Sequence, residues 1–101
     1  MNVTKHANKR IRERMGANKK SVESIAQAAL DKGIKHIETT GRLHKYISWL
    51  YTSHMSGNNI RIYCQKVFIF HNSSLITVFK LPNEYLKAAN KILERKKHAN
   101  N

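Results

Sequence analysis

The sequence predicts an α+β domain with N-terminal helices packed on a three- to four-stranded antiparallel sheet and a closing C-terminal helix. Three observations predict it. Apolar residues recur at helical spacing through the first half of the chain. The period then changes to two in IRIYC, VFIFH and LITVFKL, at 60–64, 67–71 and 75–81. After Pro82, helical spacing returns. The 101 residues suffice for one compact domain with a modest core, so 1–101 reads as a single unit. RKKHANN, at 95–101, reads as a frayed basic tail.

Each element has a local reason. Thr4 can cap a first helix over 4–15, and Gly16 can end it. Val3, Ala7, Ile11 and Met15 recur every four residues along it. Asn18 or Ser21 opens a second helix, whose Val22, Ile25, Ala26, Ala29 and Leu30 form one apolar face; Gly33 sits where a terminating glycine belongs. ETTGR reads as a turn into a third helix over 42–54, with Leu43, Tyr46, Ile47, Leu50, Tyr51 and His54 on its stripe. Trp49 falls off that stripe and points to a second surface. Gly57-Asn58-Asn59 is a turn signal, and the three strands that follow, broken by QK and NSS, read as a meander. Asn83 can cap a last helix over about 84–97, with Tyr85, Leu86, Ala89, Ile92 and Leu93 facing inward.

Charge bounds the partner. Nineteen Lys and Arg face six Asp and Glu, a formal net charge of +13. A polyanion relieves the self-repulsion of so basic a domain. Nucleic acid is the first candidate, an anionic membrane surface the second and an acidic protein the third. The apolar fraction of 41% excludes a disordered basic tail. No apolar run is long enough to span a membrane. The basic N-terminus lacks the apolar stretch of a secretory signal. It is Arg-rich and poor in acid, as transit peptides are, but runs straight into folded-looking sequence. The lone Cys64 allows no intrachain disulfide and reads as a small buried hydrophobe. Together these point to a cytoplasmic protein without a cofactor. The histidines His36, His44, His54, His71 and His98 lack HxH or HExxH spacing, so no metal is expected.

The first helix carries the sharpest candidates. At about 100° per residue with His6 at the origin, Arg10 falls at ~40°, Arg14 at ~80°, Ala7 at ~100° and Ile11 at ~140°. His6, Arg10 and Arg14 therefore form a ridge flanking the apolar stripe, with Arg14 inside the apolar arc. An Arg beside the core needs a partner, either Glu13 or a bound phosphate. The helix dipole and the Arg charges disfavour a protonated His6, which suits it to take a proton from a ribose 2′-hydroxyl. Equally, His6 can be an exposed first-turn residue and the Args plain helix formers. Lys5, Lys9 and Arg12 point elsewhere as solvated charges, with Lys5 and Lys9 counted as general nucleic-acid contacts. Thr77 shares a strand face with Leu75 and Phe79, and its hydroxyl can donate to a phosphate on the face the first helix covers; as a good strand former it needs no such role. Arg61 and Tyr63 share a face of the first long strand and can supply a phosphate contact and a stacking ring, or simply pack.

HANKRIRERMGANKKSVESIAQAALDKG, with its histidine followed by Arg at +4 and +8 and then a glycine, resembles the opening of small bacterial and phage toxin-like families. It is similar to the ribonuclease superfamily that groups barnase, the EndoU nucleases, the colicin E5 and colicin D nuclease domains and the RelE-like toxins. HKYISWLYTSH and NNIRIYCQKVFIFHNSSLITVFKLP also resemble a small phage and prophage protein of Gram-positive bacteria. The resemblance implies His6 as general acid or base, Arg10 or Arg14 as phosphate ligand, Thr77 as the hydroxyl, and Tyr63 or Phe79 as the stacking ring. It implies metal-independent RNA cleavage through a 2′,3′-cyclic phosphate, with transfer or messenger RNA as substrate and an acidic antitoxin as partner. Phe79 stands where some members carry Tyr, and many members have lost catalysis. Two other functions fit the same chain: a non-catalytic nucleic-acid-binding module, and a phage-encoded inhibitor of a host protein.

Overall fold

The computed structural model describes residues 2–16, 18–53 and 57–99. In chain order the elements are β1 (Asn2–Val3), α1 (Lys5–Met15), α2 (Lys19–Lys32), β2 (Ile34–Lys35), a 3-10 turn (His36–Glu38), α3 (Gly41–Ser53), β3 (Asn59–Tyr63), β4 (Lys66–His71), β5 (Ser74–Lys80), a second 3-10 turn (Asn83–Tyr85) and α4 (Leu86–Ala99). His54, read as the end of the third helix, lies outside the described residues.

Caps open the first two helices where expected. The Thr4 side chain accepts a hydrogen bond from the Ala7 N–H at 3.2 Å, and Asn18 accepts from Ser21 at 2.9 Å. Each satisfies a first-turn N–H that has no partner within the helix. Gly16, at φ +63°, leaves α1 through the left-handed region. Gly33 serves a different purpose from the one its position suggests. Its φ is −64°, open to any residue, but a Cβ there would sit 2.4 Å from the Ala29 carbonyl oxygen and 2.9 Å from the Arg61 Cβ. Close approach of α2 to β3 requires the glycine.

The sheet has five strands in the order β1-β5-β4-β3-β2. It is mixed, not a three- to four-stranded antiparallel meander: β1 runs parallel to β5, while the other neighbours are antiparallel. Both edge strands are two residues long, too short to show a period in sequence.

Helices cover both faces. Ala7 and Ile11 of α1, with Val22, Ala26 and Ala29 of α2, pack on Phe68, Phe70, Leu75 and Val78. Leu43, Ile47 and Leu50 of α3, with Ala89 and Ile92 of α4, pack on Ile60, Ile62, Val67 and Ile69. The third helix thus sides with the C-terminal helix, not with the first two. Strand β4 shows why two cores form: Val67 and Ile69 point to one, Phe68 and Phe70 to the other. Such a continuous apolar run marks a strand buried on both sides.

Three local expectations change. Cys64 is exposed, because Cys64 and Gln65 form the two-residue turn between β3 and β4 at φ 49° and 62°. Asn83 belongs to a 3-10 turn entered from Pro82, so α4 starts at Leu86. Residues 95–99, read as a frayed tail, continue that helix. There the half-buried Lys96 ammonium donates to the carbonyls of Lys32 and Gly33 at 3.4 and 3.3 Å and to Glu38 at 3.1 Å. Burial pushes the Glu38 carboxyl up, but the Lys35 N–H and Lys96 outweigh it and hold it below its ordinary value.

Candidate nucleic-acid interface

The residues singled out in sequence do not assemble into one site. His6 and Arg14 are exposed, and Arg10 is half-buried. Arg14 was expected inside the apolar arc, but α1 buries only Ala7 and Ile11. One turn beyond Ile11's ridge, a long Arg side chain can carry its charge out to water. Glu13 lies 3.9 Å from Lys9 in an exposed i, i+4 pair.

A register shift separates Thr77 from this helix. Leu75 pairs with Phe70 and Thr77 with Ile69, so Ile76 is an extra residue between them. Leu75 faces α1 and α2, whereas Thr77, opposite Ile69, faces α3 and α4. Strict alternation would have kept Leu75, Thr77 and Phe79 on one face; the bulge undoes it. Phe79 is half-buried against the α3–α4 core.

Arg61 and Tyr63 do share a face, but both have structural work. Arg61 donates from Nε to the Leu30 carbonyl at 3.4 Å and from its terminal nitrogen to Asn59 and to the Ile60 carbonyl, helping to cap α2. The Tyr63 ring meets Phe68 edge-on at 6.2 Å. Lys5 and Lys9 are exposed on α1.

The surface with the most binding chemistry lies on the other side, between α3 and α4. Leu43, Ile47 and Leu50 commit one face of α3 to the core. Arg42, Tyr46 and Trp49 recur at i, i+4 and i+7 beside it, a second helical stripe. Tyr46 stacks on Tyr85 with centroids 4.6 Å apart and 21° between planes, and on Trp49 at 6.3 Å and 27°. Trp49 is 60% exposed, although a lone indole gains from burial.

These three rings, with Arg42 and Lys45, line a hollow of about 370 Å³. It shares Arg42 and Tyr85 with a groove of about 480 Å³ that runs along α4 past Lys87, Lys91 and Arg95. Lys87, Lys91 and Arg95 occupy one row, rising about 6 Å per step. Leu43, Ala88 and Ile92 contribute apolar lining. Glu84 lines the groove with Arg42 3.3 Å from it, and Glu94 shares an adjoining hollow on α4 with Lys87, Lys91 and Arg95. Burial, then Tyr85 and Glu84, hold the Tyr46 phenol above its usual range, so its ring stays uncharged. The sequence signal for this site was Trp49 off the core stripe.

The opposite flank of α3 fixes where the helix sits. His36 stacks on His44 at 4.3 Å and 9°. Thr39 donates its hydroxyl proton to the His36 carbonyl at 2.6 Å, so it accepts from His44 Nδ1 at 3.0 Å. Ser48 likewise donates to the His44 carbonyl at 2.8 Å and accepts from His36 Nε2 at 2.8 Å. Two hydroxyls thereby set both ring orientations and tie the first 3-10 turn to α3.

No protein-family model, curated protein or solved structure matches the chain.

Proposed function

We propose that the protein is a sequence-tolerant single-stranded nucleic-acid-binding module that uses the α3–α4 face. The observation that carries this is the ladder of exposed Trp49 on half-buried Tyr46 and Tyr85, flanked by Arg42 and Lys45 and continued by Lys87, Lys91 and Arg95. Every base has a face that can stack on an aromatic ring, and each such stack contributes about 1–3 kcal/mol. Cations along a groove follow the backbone irrespective of sequence. A duplex keeps its bases stacked internally and cannot offer them to the rings.

RNA remains the partner expected from the sequence, and stacking and phosphate contacts serve DNA strands as well. The cleavage reading asks for His6, Arg10, Arg14 and Thr77 around one phosphate. With Thr77 across the sheet from α1, that set lacks its hydroxyl, whereas binding by the ladder needs no such set.

Fluorescence anisotropy with labelled single-stranded and duplex oligonucleotides tests the proposal. Trp49→Ala should weaken single-strand binding about tenfold or more and leave duplex binding unchanged. Equal losses on both, or none on either, would contradict a stacking platform.

A further inference from the structure

We propose that α1 carries a second site, for the sugar-phosphate backbone of another nucleic-acid segment, so that one molecule bridges two segments. This rests on the single-strand reading of the α3–α4 face. A groove of about 660 Å³ runs along the outer side of α1, lined by Lys5, Asn8, Lys9, Arg12 and Glu13, with Val3 and Gly16 at its ends. Lys5, Lys9 and Arg12 form one row, separated by about 6 Å and about 4.5 Å of helix rise. Asn8 adds an amide donor beside them. The Lys9–Glu13 contact is long and exposed, so a phosphate can compete for the lysine.

Two features distinguish this groove from general positive charge. First, among the described residues no aromatic side chain lines it. It offers phosphate contacts alone, and therefore accepts a duplex as readily as a single strand. Second, it lies on the opposite side of the sheet from the aromatic ladder: α1 packs on Phe68, Phe70, Leu75 and Val78, while α3 and α4 pack on Ile60, Ile62, Val67 and Ile69. A short strand seated on the ladder cannot also lie along α1. Where α2 approaches β3 and α4, Arg61 donates to the Leu30 and Ile60 carbonyls and to Asn59, and Lys96 to the Lys32 and Gly33 carbonyls and to Glu38.

A bridging assay tests this. A short single-stranded oligonucleotide is fixed to beads, the protein is added, and a fluorescent duplex of unrelated sequence follows. Duplex should be retained only when protein is present. The triple variant Lys5→Gln, Lys9→Gln, Arg12→Gln should still bind the bead strand but retain at least about tenfold less duplex, and the log–log salt slope of its duplex binding should fall by about 2.7. All three side chains are solvent-facing, and thermal melting of the variant checks that it folds. Wild-type protein that binds the bead strand but captures no duplex would overturn the bridge and leave the single-strand reading standing. So would a triple variant that folds and captures duplex as wild type does. If wild-type protein fails to bind the bead strand, the ladder reading falls and the bridge falls with it. Anisotropy with the duplex alone then shows whether α1 binds by itself.

Discussion

Trp49 shows how much one side chain can say. It is 60% exposed yet stacked beside Tyr46, and it belongs to neither core cluster. Other residues are bound to the fold more plainly. Gly33→Ala places a methyl 2.4 Å from the Ala29 oxygen, and we expect a loss of about 1–3 kcal/mol, read as a lower urea midpoint. The Cys64-Gln65 turn has two non-glycine residues at positive φ, a conformation that suits Asn-Gly. Replacing the pair with Asn-Gly should raise stability by about 1 kcal/mol. Sequence showed the capping roles of Thr4 and Asn18 because these depend on nearest neighbours. It did not show why Gly33 is glycine or that Cys64 is exposed, because the first depends on β3 lying against α2 and the second on hairpin register.

At the scale of elements, α3 is positioned from both flanks. Its aromatic side meets Tyr85, and its imidazole side meets the first 3-10 turn. Burial and the neighbouring His44 lower the His36 pKa below the ordinary 6.5, so folding favours the neutral ring. Tyr51 lies against the same ring at 5.2 Å. The contribution is fully present above pH 6.5 and is lost as pH falls through the lowered folded value, because the unfolded chain takes up the proton first. Urea midpoints should therefore drop between about pH 7.5 and about pH 5, and His36→Gln should drop less. Equal drops would show that the imidazole pair does not clamp α3. The four longer helices were legible because each repeats its period several times, β3 because it alternates, and β4 and β5 because their short apolar runs are rich in strand-forming residues. The two-residue edge strands and the bulge at Ile76 were not, since neither leaves a pattern of its own. That bulge turns Thr77 to the face that α3 and α4 cover.

For the whole molecule, the +13 charge is arranged as well as large. A central sheet with helices on both faces gives the protein two outer surfaces, one with basic residues and rings, the other with a groove of basic residues, Asn8 and Glu13 that no ring lines among the described residues. The five cations of the α3–α4 face predict a single-strand binding slope of about −3.5 in log affinity against log salt. A slope near zero would remove the electrostatic half of the proposal. The charge pointed to nucleic acid from composition alone, but which face joins rings to cations became visible only when α3 and α4 came together.

The chain has a single tryptophan, and it sits in the proposed site, so its emission reports on that site alone. Titrating the protein with a single-stranded oligonucleotide, and separately with the matching duplex, should give saturable quenching of Trp49 by the strand and none by the duplex. Strand binding that leaves the emission unchanged, or equal quenching by the duplex, would contradict base stacking on the α3–α4 face.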